Sequence, residues 1–453
     1  MNKNFKKFSA YYLGSLLERK KIDPIALLEY FILNFKRSLK DQKLSFTKVF
    51  IKEALIEANQ AWKRQKKNER LSYFDGIPIV WKDLIDIQGY PAFAGSKLIK
   101  NIRRNQLVKN AEIVTLAKKN GLVTLAKTST VEFAFGGLGI NNSYKLPKNL
   151  MFSKQNLAPG GSSTGSATAV YSGLAPMSVG TDTAGSVRIP AAWHSLVGFK
   201  PSYRKISTKG VLPLSKSFDT IGTICKSVKD TQILFNILSN KRYNYKFDFS
   251  KSVSLASIEN INFPMLDYLS KSKIEELKIK ISKLGMFVKN IKVPEFEELN
   301  DLVSSYGSLV NYEAWKSWKN TISHNIKILD SNVADRFLIG KEIKFGSAIV
   351  LKKKIMKLKQ KALSKLTDYD FYIIPTVSMK PPPLKSLENK DSYHYFNNLV
   401  LNNTRAANIF DLCAVSIPIF LKKRKWLSIS VISRKNNEEK LLAVAEKIES
   451  ILR

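Results

Sequence analysis

The sequence predicts an α/β layered fold built as one domain. Two observations carry that expectation. Short apolar, β-branched runs alternate with amphipathic helical stretches early in the chain, and strand-like runs return near its end. No internal repeat separates the two regions, so one sheet assembled from distant segments is expected.

The elements follow in order. Asp23-Pro24 reads as an N-cap followed by proline in the first turn, with Ile25, Leu28, Phe31, Ile32 and Phe35 at helical spacing behind it. A second helix is expected over 46–65. Gly76-Ile77-Pro78-Ile79-Val80-Trp81 is apolar and partly β-branched, a short buried strand ending at Lys82. Residues 110–120 read as a capped helix stopped by Gly121, and 122–126 as the strand after it. From 158 to 218 Gly, Ser, Thr and Ala dominate, yet Ala167, Ala169, Val170, Leu174 and Val179 make the segment too apolar for a linker. Residues 241–365 read as helical and lysine-rich. Strands are expected at 371–374, 414–421 and 427–432, and a last helix behind Asn437 with Glu438 and Glu439 in its first turn.

The 453 residues, 44% hydrophobic and 11% aromatic, suffice for one large core. No run of about 18 apolar residues occurs, so no membrane-spanning helix is expected. Lys3, Lys6 and Lys7 precede an apolar stretch at 10–17, but Gly14 and Ser15 break it and Glu18-Arg19-Lys20-Lys21 follows, unlike a signal peptide. Cys225 and Cys413 are too few for a disulfide framework or a four-ligand zinc site. A reducing cytoplasm fits, and neither metal nor cofactor is expected.

The 74 Lys+Arg against 37 Asp+Glu leave a net charge of +37. A polyanion partner would account for it. So would AT-rich coding, because Lys, Asn, Ile, Phe and Tyr are all abundant. The cations are spread along the chain, with modest clusters at 63–70, 352–361 and 422–425. Lys353, Lys354, Lys357 and Lys361 recur at helical intervals, as on a solvated face, so the compositional origin is favoured.

Pro159-Gly160-Gly161-Ser162-Ser163-Thr164-Gly165-Ser166 admits several readings. A phosphate-cradling loop would continue into Gly-Lys-Ser/Thr, which is absent. A nucleophile elbow matches G-x-S-x-G around Ser163, but it needs an apolar strand before it and a histidine partner. Only His194, His324 and His394 exist, and 154–159 is not an apolar strand. There remain an ordinary Gly/Ser loop and a glycine-hinged turn presenting hydroxyls and N–H groups to a pocket. Downstream, Val179-Gly180-Thr181-Asp182-Thr183-Ala184-Gly185-Ser186-Val187-Arg188-Ile189-Pro190 places a serine after small residues at the end of an apolar stretch. Such a turn lets a carbonyl approach closely and lets successive N–H groups converge on an oxyanion. Lys82, ending an apolar strand, would lose proton affinity on desolvation and could serve as a neutral base. Serine with a lysine base needs no histidine.

These loops, preceded by Gly-Ile-Pro-Ile-Val-Trp-Lys-Asp at 76–83, resemble the amidase signature family. Lys-Thr-Ser-Thr-Val-Glu-Phe-Ala-Phe-Gly-Gly at 127–137, Val-Gly-Phe-Lys-Pro at 197–201, Phe-Asp-Thr-Ile-Gly-Thr at 218–223 and Ala-Val-Ser-Ile-Pro at 414–418 extend the likeness. The similarity is close from about 76 to 230 and weaker at both ends, and 241–365 follows only in order and length. The resemblance implies one α/β domain over 1–453 with a central mixed sheet covered by helices. Within it, 1–70 would supply N-terminal helices, 71–240 the catalytic core, 241–365 a helical substrate-side segment and 366–453 C-terminal strands and a helix. It also implies a Ser–cis-Ser–Lys triad, here Ser186 as nucleophile, Ser162 as relay behind a cis Gly161–Ser162 bond, and Lys82 as base. The N–H groups of Thr183, Ala184, Gly185 and Ser186 would form the oxyanion hole, and Gly136 and Gly137 would contact substrate. Ala184 and Thr164 stand where relatives more often carry glycine, and neither touches the triad.

Two subclasses follow from the resemblance. One is a free-standing hydrolase of small carboxamides. The other is the glutaminase component of the glutamyl-tRNA(Gln)/aspartyl-tRNA(Asn) amidotransferase, which takes ammonia from glutamine for a tRNA-bound partner. The Arg-Tyr-Asp-Gly run usual in that component is absent after Glu313-Ala314, where Trp315-Lys316-Ser317-Trp318-Lys319 stands. Its acidic residue before the last segment is replaced by Leu401-Asn402-Asn403-Thr404, although Arg336 can match its arginine. The residues favour the hydrolase, with a small carboxamide as substrate, no membrane, nucleic acid only within an amidotransferase complex, and a homodimer left open. An inactive scaffold that binds polyanions is a third class, opposed by the intact triad.

Overall fold

The computed structural model describes residues 4–243, 245, 253–260, 266–419 and 426–452. A single mixed sheet runs through them. In chain order its strands are β1 (Phe46–Val49), β2 (Pro78–Lys82), β3 (Val123–Thr128), β4 (Met177–Asp182), β5 (Val197–Lys200), β6 (Thr220–Cys225), β7 (Val253–Ile258), β8 (Met286–Ile291), β9 (Phe371–Pro375), β10 (Cys413–Pro418) and β11 (Ser428–Ser433). Across the sheet they lie in the order β1-β3-β2-β4-β6-β5-β10-β11-β9-β7-β8. β2 runs parallel to both β3 and β4, and β7 parallel to both β8 and β9, while the strands between them pair antiparallel. Neighbours β10 and β5 come from distant parts of the chain, as expected of one sheet built from distant segments.

Helices cover both faces, and strand alternation assigns residues to two cores. Phe371 and Ile373 of β9 join Leu13, Phe31, Trp81, Val179 and Phe235 on one side. Tyr372 and Ile374 join Phe133, Phe135, Phe296 and Phe337 on the other. β2 is buried at every residue, as befits a parallel strand covered on both faces. That burial is what takes Lys82 out of water.

Several local expectations hold. Asp23 caps the helix Pro24–Arg37, its carboxylate accepting from Ala26 N at 2.8 Å. The helix Glu112–Lys119, the strand after it, β9, β10, β11 and the helix Glu438–Leu452 lie where expected. Two expectations fail. Residues 46–65 are not one helix: β1 comes first and the helix Ile51–Lys67 follows. β1 pairs antiparallel with β3, and Phe50 N donates to Leu125 O at 2.8 Å, so the sheet edge claims this segment. The segment 241–365 is not wholly helical either, because β7 and β8 extend the other edge of the sheet. The cluster at 422–425, the end of the strand expected at 414–421, and Lys3 lie outside the described residues. Among the described residues no helix is long and apolar enough to cross a membrane, and no group of His, Cys, Asp or Glu could hold a metal ion.

The helix Ile51–Lys67 is fastened to the approach to β2 by a bidentate pair. Arg64 Nε donates to Asp75 Oδ2 at 2.8 Å and Arg64 Nη2 to Asp75 Oδ1 at 2.7 Å, while Leu71 N adds a bond of 2.9 Å. Asp75 is buried and Arg64 partly exposed. Asp75→Ala strands the guanidinium and the Leu71 N–H, and is expected to cost about 2–3 kcal/mol. Urea denaturation of the variant beside the parent checks this.

Candidate active site

Lys82 stands at the carboxyl end of β2 and is completely buried. Its Nζ donates to Ser162 Oγ at 2.7 Å and to Thr181 Oγ1, from neighbouring β4, at 2.8 Å. Burial pushes the amine down to about 7, a fall that the negative charges of Asp182 and Asp219 only partly oppose.

Ser162 lies in the turn ahead of the helix Thr164–Tyr171, and the Gly161–Ser162 peptide is cis. Gly160 N and Gly161 N donate to Leu138 O and Gly137 O at 3.0 and 2.8 Å. Thr130 Oγ1 donates to Ser162 O at 2.9 Å. At Gly161 a Cβ would come within 2.8 Å of Gly139 N, so only glycine fits. Thr164 is accommodated by donating its hydroxyl to Gly160 O at 2.8 Å. Ser163, the serine of the elbow reading, is buried and donates its hydroxyl to Thr181 O at 3.3 Å. Its N–H donates to Ser186 O at 3.1 Å, so Ser163 laces the two serine loops together.

Ser186 follows β4 in the second loop and is 5% exposed. Among the described residues no hydrogen bond joins its hydroxyl to that of Ser162. The loop is held from beneath by Asp182. The Asp182 carboxylate accepts from Gly185 N (2.8 Å), Val187 N (3.2 Å), Arg188 Nε (3.0 Å) and Nη2 (2.9 Å), and Asn408 Nδ2 (2.9 Å). Burial opposes its ionisation, but Arg188, Lys200 and Asn408 prevail and hold it at about 2. Asp219 supports the other side, accepting from Thr183 Oγ1 at 2.6 Å and from Leu214 N and Ser215 N at 2.8 and 3.0 Å. Burial raises it to about 6.

The anchoring engages one of the four N–H groups expected at an oxyanion hole. Gly185 N–H is already taken by Asp182, whereas the N–H groups of Thr183, Ala184 and Ser186 donate to no acceptor among the described residues. Gly136 and Gly137, expected to contact substrate, lie against the helix Lys390–Ile409. Gly137 N donates to Asn397 Oδ1 at 2.8 Å, and a Cβ on Gly136 would meet the Tyr393 hydroxyl at 2.8 Å. They seat the helix Lys390–Ile409 against the core and do not line the adjoining cavity. That cavity, about 270 Å³, reaches the Ser186 loop at Ala184 and is walled by Arg336, His394, Asn397, Leu401 and Arg405. Among the described residues none of the three histidines hydrogen-bonds to Lys82, Ser162 or Ser186. His194 is buried, pushed down by that burial to about 4, with Nδ1 3.0 Å from Pro190 O. His324 is exposed, and His394 Nε2 lies 3.2 Å from Asp335.

The motifs identify the three central side chains but not their supports: Thr181, Asp182, Arg188, Asp219 and Asn408. Asp182 followed by Arg188 within one small-residue run is the available signal. Asn408, distant in the chain, offers none.

Comparison with known proteins identifies the family. Residues 27–442 match the Amidase family profile. The chain belongs to that family. It is a hydrolase of carbon–nitrogen bonds other than peptide bonds. The 2-amino-5-chloromuconic acid deaminase of Comamonas testosteroni is 28% identical over 393 residues, 83% of this chain and 82% of that one. A glutamyl-tRNA(Gln) amidotransferase component of Pseudothermotoga lettingae is 26% identical over 421 residues, 85% and 88% of the two chains. A crystal structure of an amidase superposes with a TM-score of 0.86 at 24% identity, covering 98% of this chain and all of the other. The amidase thus shares its fold over 98% of its length with a solved structure.

One backbone position in the amidase's second loop has no freedom. Gly185 has φ +130°, a region that side chains rarely enter, and a Cβ there would overlap Thr404 Oγ1. Gly185→Ala is expected to displace Ser186 and lower kcat/KM by about 100-fold with secondary structure retained. Steady-state kinetics beside circular dichroism tests it.

Proposed function

We propose that this amidase hydrolyses a carboxamide through an acyl-enzyme on Ser186, with Ser162 as proton relay and Lys82 as base. The observation that carries the reading is the short hydrogen bond between a fully buried lysine and the Ser162 hydroxyl. A protonated lysine donates in that bond. A neutral one accepts, which makes Ser162 a donor toward Nζ and frees its oxygen to take a proton from Ser186. In the first step Ser186 Oγ bonds to the carbonyl carbon, its proton passes to Ser162 Oγ, and the Ser162 proton passes to Nζ. As the C–N bond breaks, the same route returns a proton to the departing nitrogen. Water then attacks the ester by the same relay, releasing the acid and restoring Ser186.

A direct bond between Ser162 and Ser186 is not required before reaction, since catalytic hydrogen bonds tighten as the reacting carbon settles into place. The unengaged N–H groups of Thr183, Ala184 and Ser186 are the donors available to the oxyanion. Asp182 and Asp219 lend negative charge to the buried amine, so the protonated lysine formed during the first step is tolerated.

Because only neutral Lys82 accepts a proton, kcat/KM should rise with pH through about 7 and level off above it. Lys82→Arg should remove that limb along with nearly all activity, because a guanidinium stays protonated. A pH–rate profile in which the arginine variant keeps parental activity would eliminate Lys82 as the base.

Ser186→Ala should lower turnover by at least about 1,000-fold with the fold intact. A phosphonyl fluoride should add its mass to Ser186 alone. Label on Ser163 would instead restore the elbow reading, and peptide mapping of the adduct distinguishes the two.

A further inference from the structure

A second cavity, of about 440 Å³, lies beside the start of β1. None of Lys82, Ser162 and Ser186 lines it, and it shares no lining residue with the cavity at Ala184. The buried Gly95, Ser129 and Thr130 form its floor. Leu44 and Phe46 stand on one side, Tyr144 and Leu146 on another, and Phe93 completes the wall. Both sides are fastened to the floor. Ser129 N donates to Ser45 O at 2.9 Å and Ser129 Oγ to Leu44 O at 2.7 Å. Asn141 Nδ2 donates to Thr130 O at 3.1 Å and to Gly95 O at 2.9 Å, while its Oδ1 accepts from Tyr144 N at 3.0 Å. The concavity is therefore built into the fold, and a ligand entering it has little left to order.

Four lysines line the same space: Lys40, Lys43, Lys100 and Lys145. All are exposed, and among the described residues none of their side chains makes an ion pair or a hydrogen bond. The one acid lining the cavity, Asp83, is buried and engaged by Lys127 Nζ at 2.9 Å. With a net charge of +37, lysines cover much of the surface, and four of them alone indicate nothing. Here they surround a concavity with apolar walls, which concentrates their field on whatever enters. An ammonium is a compact point charge without the planar fork that suits a carboxylate, and several of them converge well on the three oxygens of a phosphate. The half-buried Tyr144 hydroxyl, with no hydrogen-bond partner among the described residues, adds a donor. Phe46, Phe93 and Leu146 offer apolar contact to the rest of the ligand.

We propose that this cavity binds a phosphate monoester carried on a small apolar body, with the phosphate among the lysines and the body against Phe46, Phe93 and Leu146. The ligand is held there and not turned over, since no member of the proposed triad lines the cavity. The site stands whether or not Ser186 forms an acyl-enzyme. Its floor nonetheless carries the turn on which Ser162 sits. Thr130 Oγ1 donates to Ser162 O at 2.9 Å, and Gly165 N donates to Ser129 O at 2.9 Å. An aromatic ring and a short alkyl chain would satisfy the same apolar walls, so the body is either of these.

Titration calorimetry on the purified full chain compares phenyl phosphate and hexyl phosphate with inorganic phosphate, benzoate and phenol. At least one ester should bind at least about 10-fold more tightly than each of the other three, and the tighter ester identifies the body as ring or chain. The double variant Lys43→Gln/Lys145→Gln should weaken that ester by about 10-fold. Lys353→Gln/Lys357→Gln, on the exposed face of the helix Phe345–Lys365, should leave it unchanged. Leu146→Trp, which fills the cavity, should weaken it as well. An ester that binds no more tightly than inorganic phosphate or benzoate, or that loses equally with either lysine pair, would overturn the site, because surface charge alone would then account for the binding. Loss of binding in Arg405→Gln would overturn it too, by placing the ester in the cavity at Ala184. If a variant fails to fold, the comparison of ester with inorganic phosphate and benzoate on the parent still decides.

Discussion

An amine at the end of a fully buried strand has no water to stabilise its charge, and much of the site follows from that. Lys82 reaches this state because β2 is paired in parallel on both sides and covered on both faces. The partners it keeps, Ser162 and Thr181, are neutral hydroxyls that serve either protonation state. A carboxylate in direct contact would have locked the charged form. Asp182 and Asp219 act on it from a distance instead, moderating the fall. The sheet topology therefore sets the chemistry, since an edge strand would have left the same lysine solvated and fully protonated.

The loop carrying Ser186 faces a different problem, because a turn made of small residues has little packing of its own. Asp182 supplies the missing rigidity by gathering two backbone N–H groups, a bidentate arginine and an asparagine from a helix far along the chain. A buried carboxylate with that many donors is satisfied and stays ionised. Gly185 gives up its N–H to this anchor, which leaves those of Thr183, Ala184 and Ser186 for the proposed oxyanion site. Ser163 then ties the loop to the turn carrying Ser162, so the proposed relay and nucleophile are held by one hydrogen-bonded framework.

The parts of the fold visible in the sequence are those whose local signal matches their final environment. β2 is an apolar run in a buried place, and Asp23-Pro24 is a cap in a helix start. β1 is obscured because Phe46, Val49 and Phe50 also sit at helical spacing, and only pairing with β3 decides between the two. β8 is obscured because an edge strand is half polar: Lys289 and Asn290 are exposed and Met286 is its buried residue. At the site, long motifs carry the proposed triad. The support from Asn408 depends instead on a helix whose sequence resembles any amphipathic helix. Contacts made across more than two hundred residues, such as that of Asn408 with Asp182, leave no local trace.

Two buried places in the molecule hold different cations. Burial acts on both, yet with different consequences. Lys82 begins near 10.5 and is brought to about 7, where the neutral amine is abundant under ordinary conditions. Arg405 is lowered by burial and by the neighbouring Arg336 only to about 10, so it still holds its charge at the pH where Lys82 has begun to lose its own. A base must shed its proton, whereas a buried guanidinium keeps its own. Lysine and arginine differ in this because a delocalised guanidinium resists deprotonation where an ammonium does not. Two neighbouring arginines with no acid beside them repel each other.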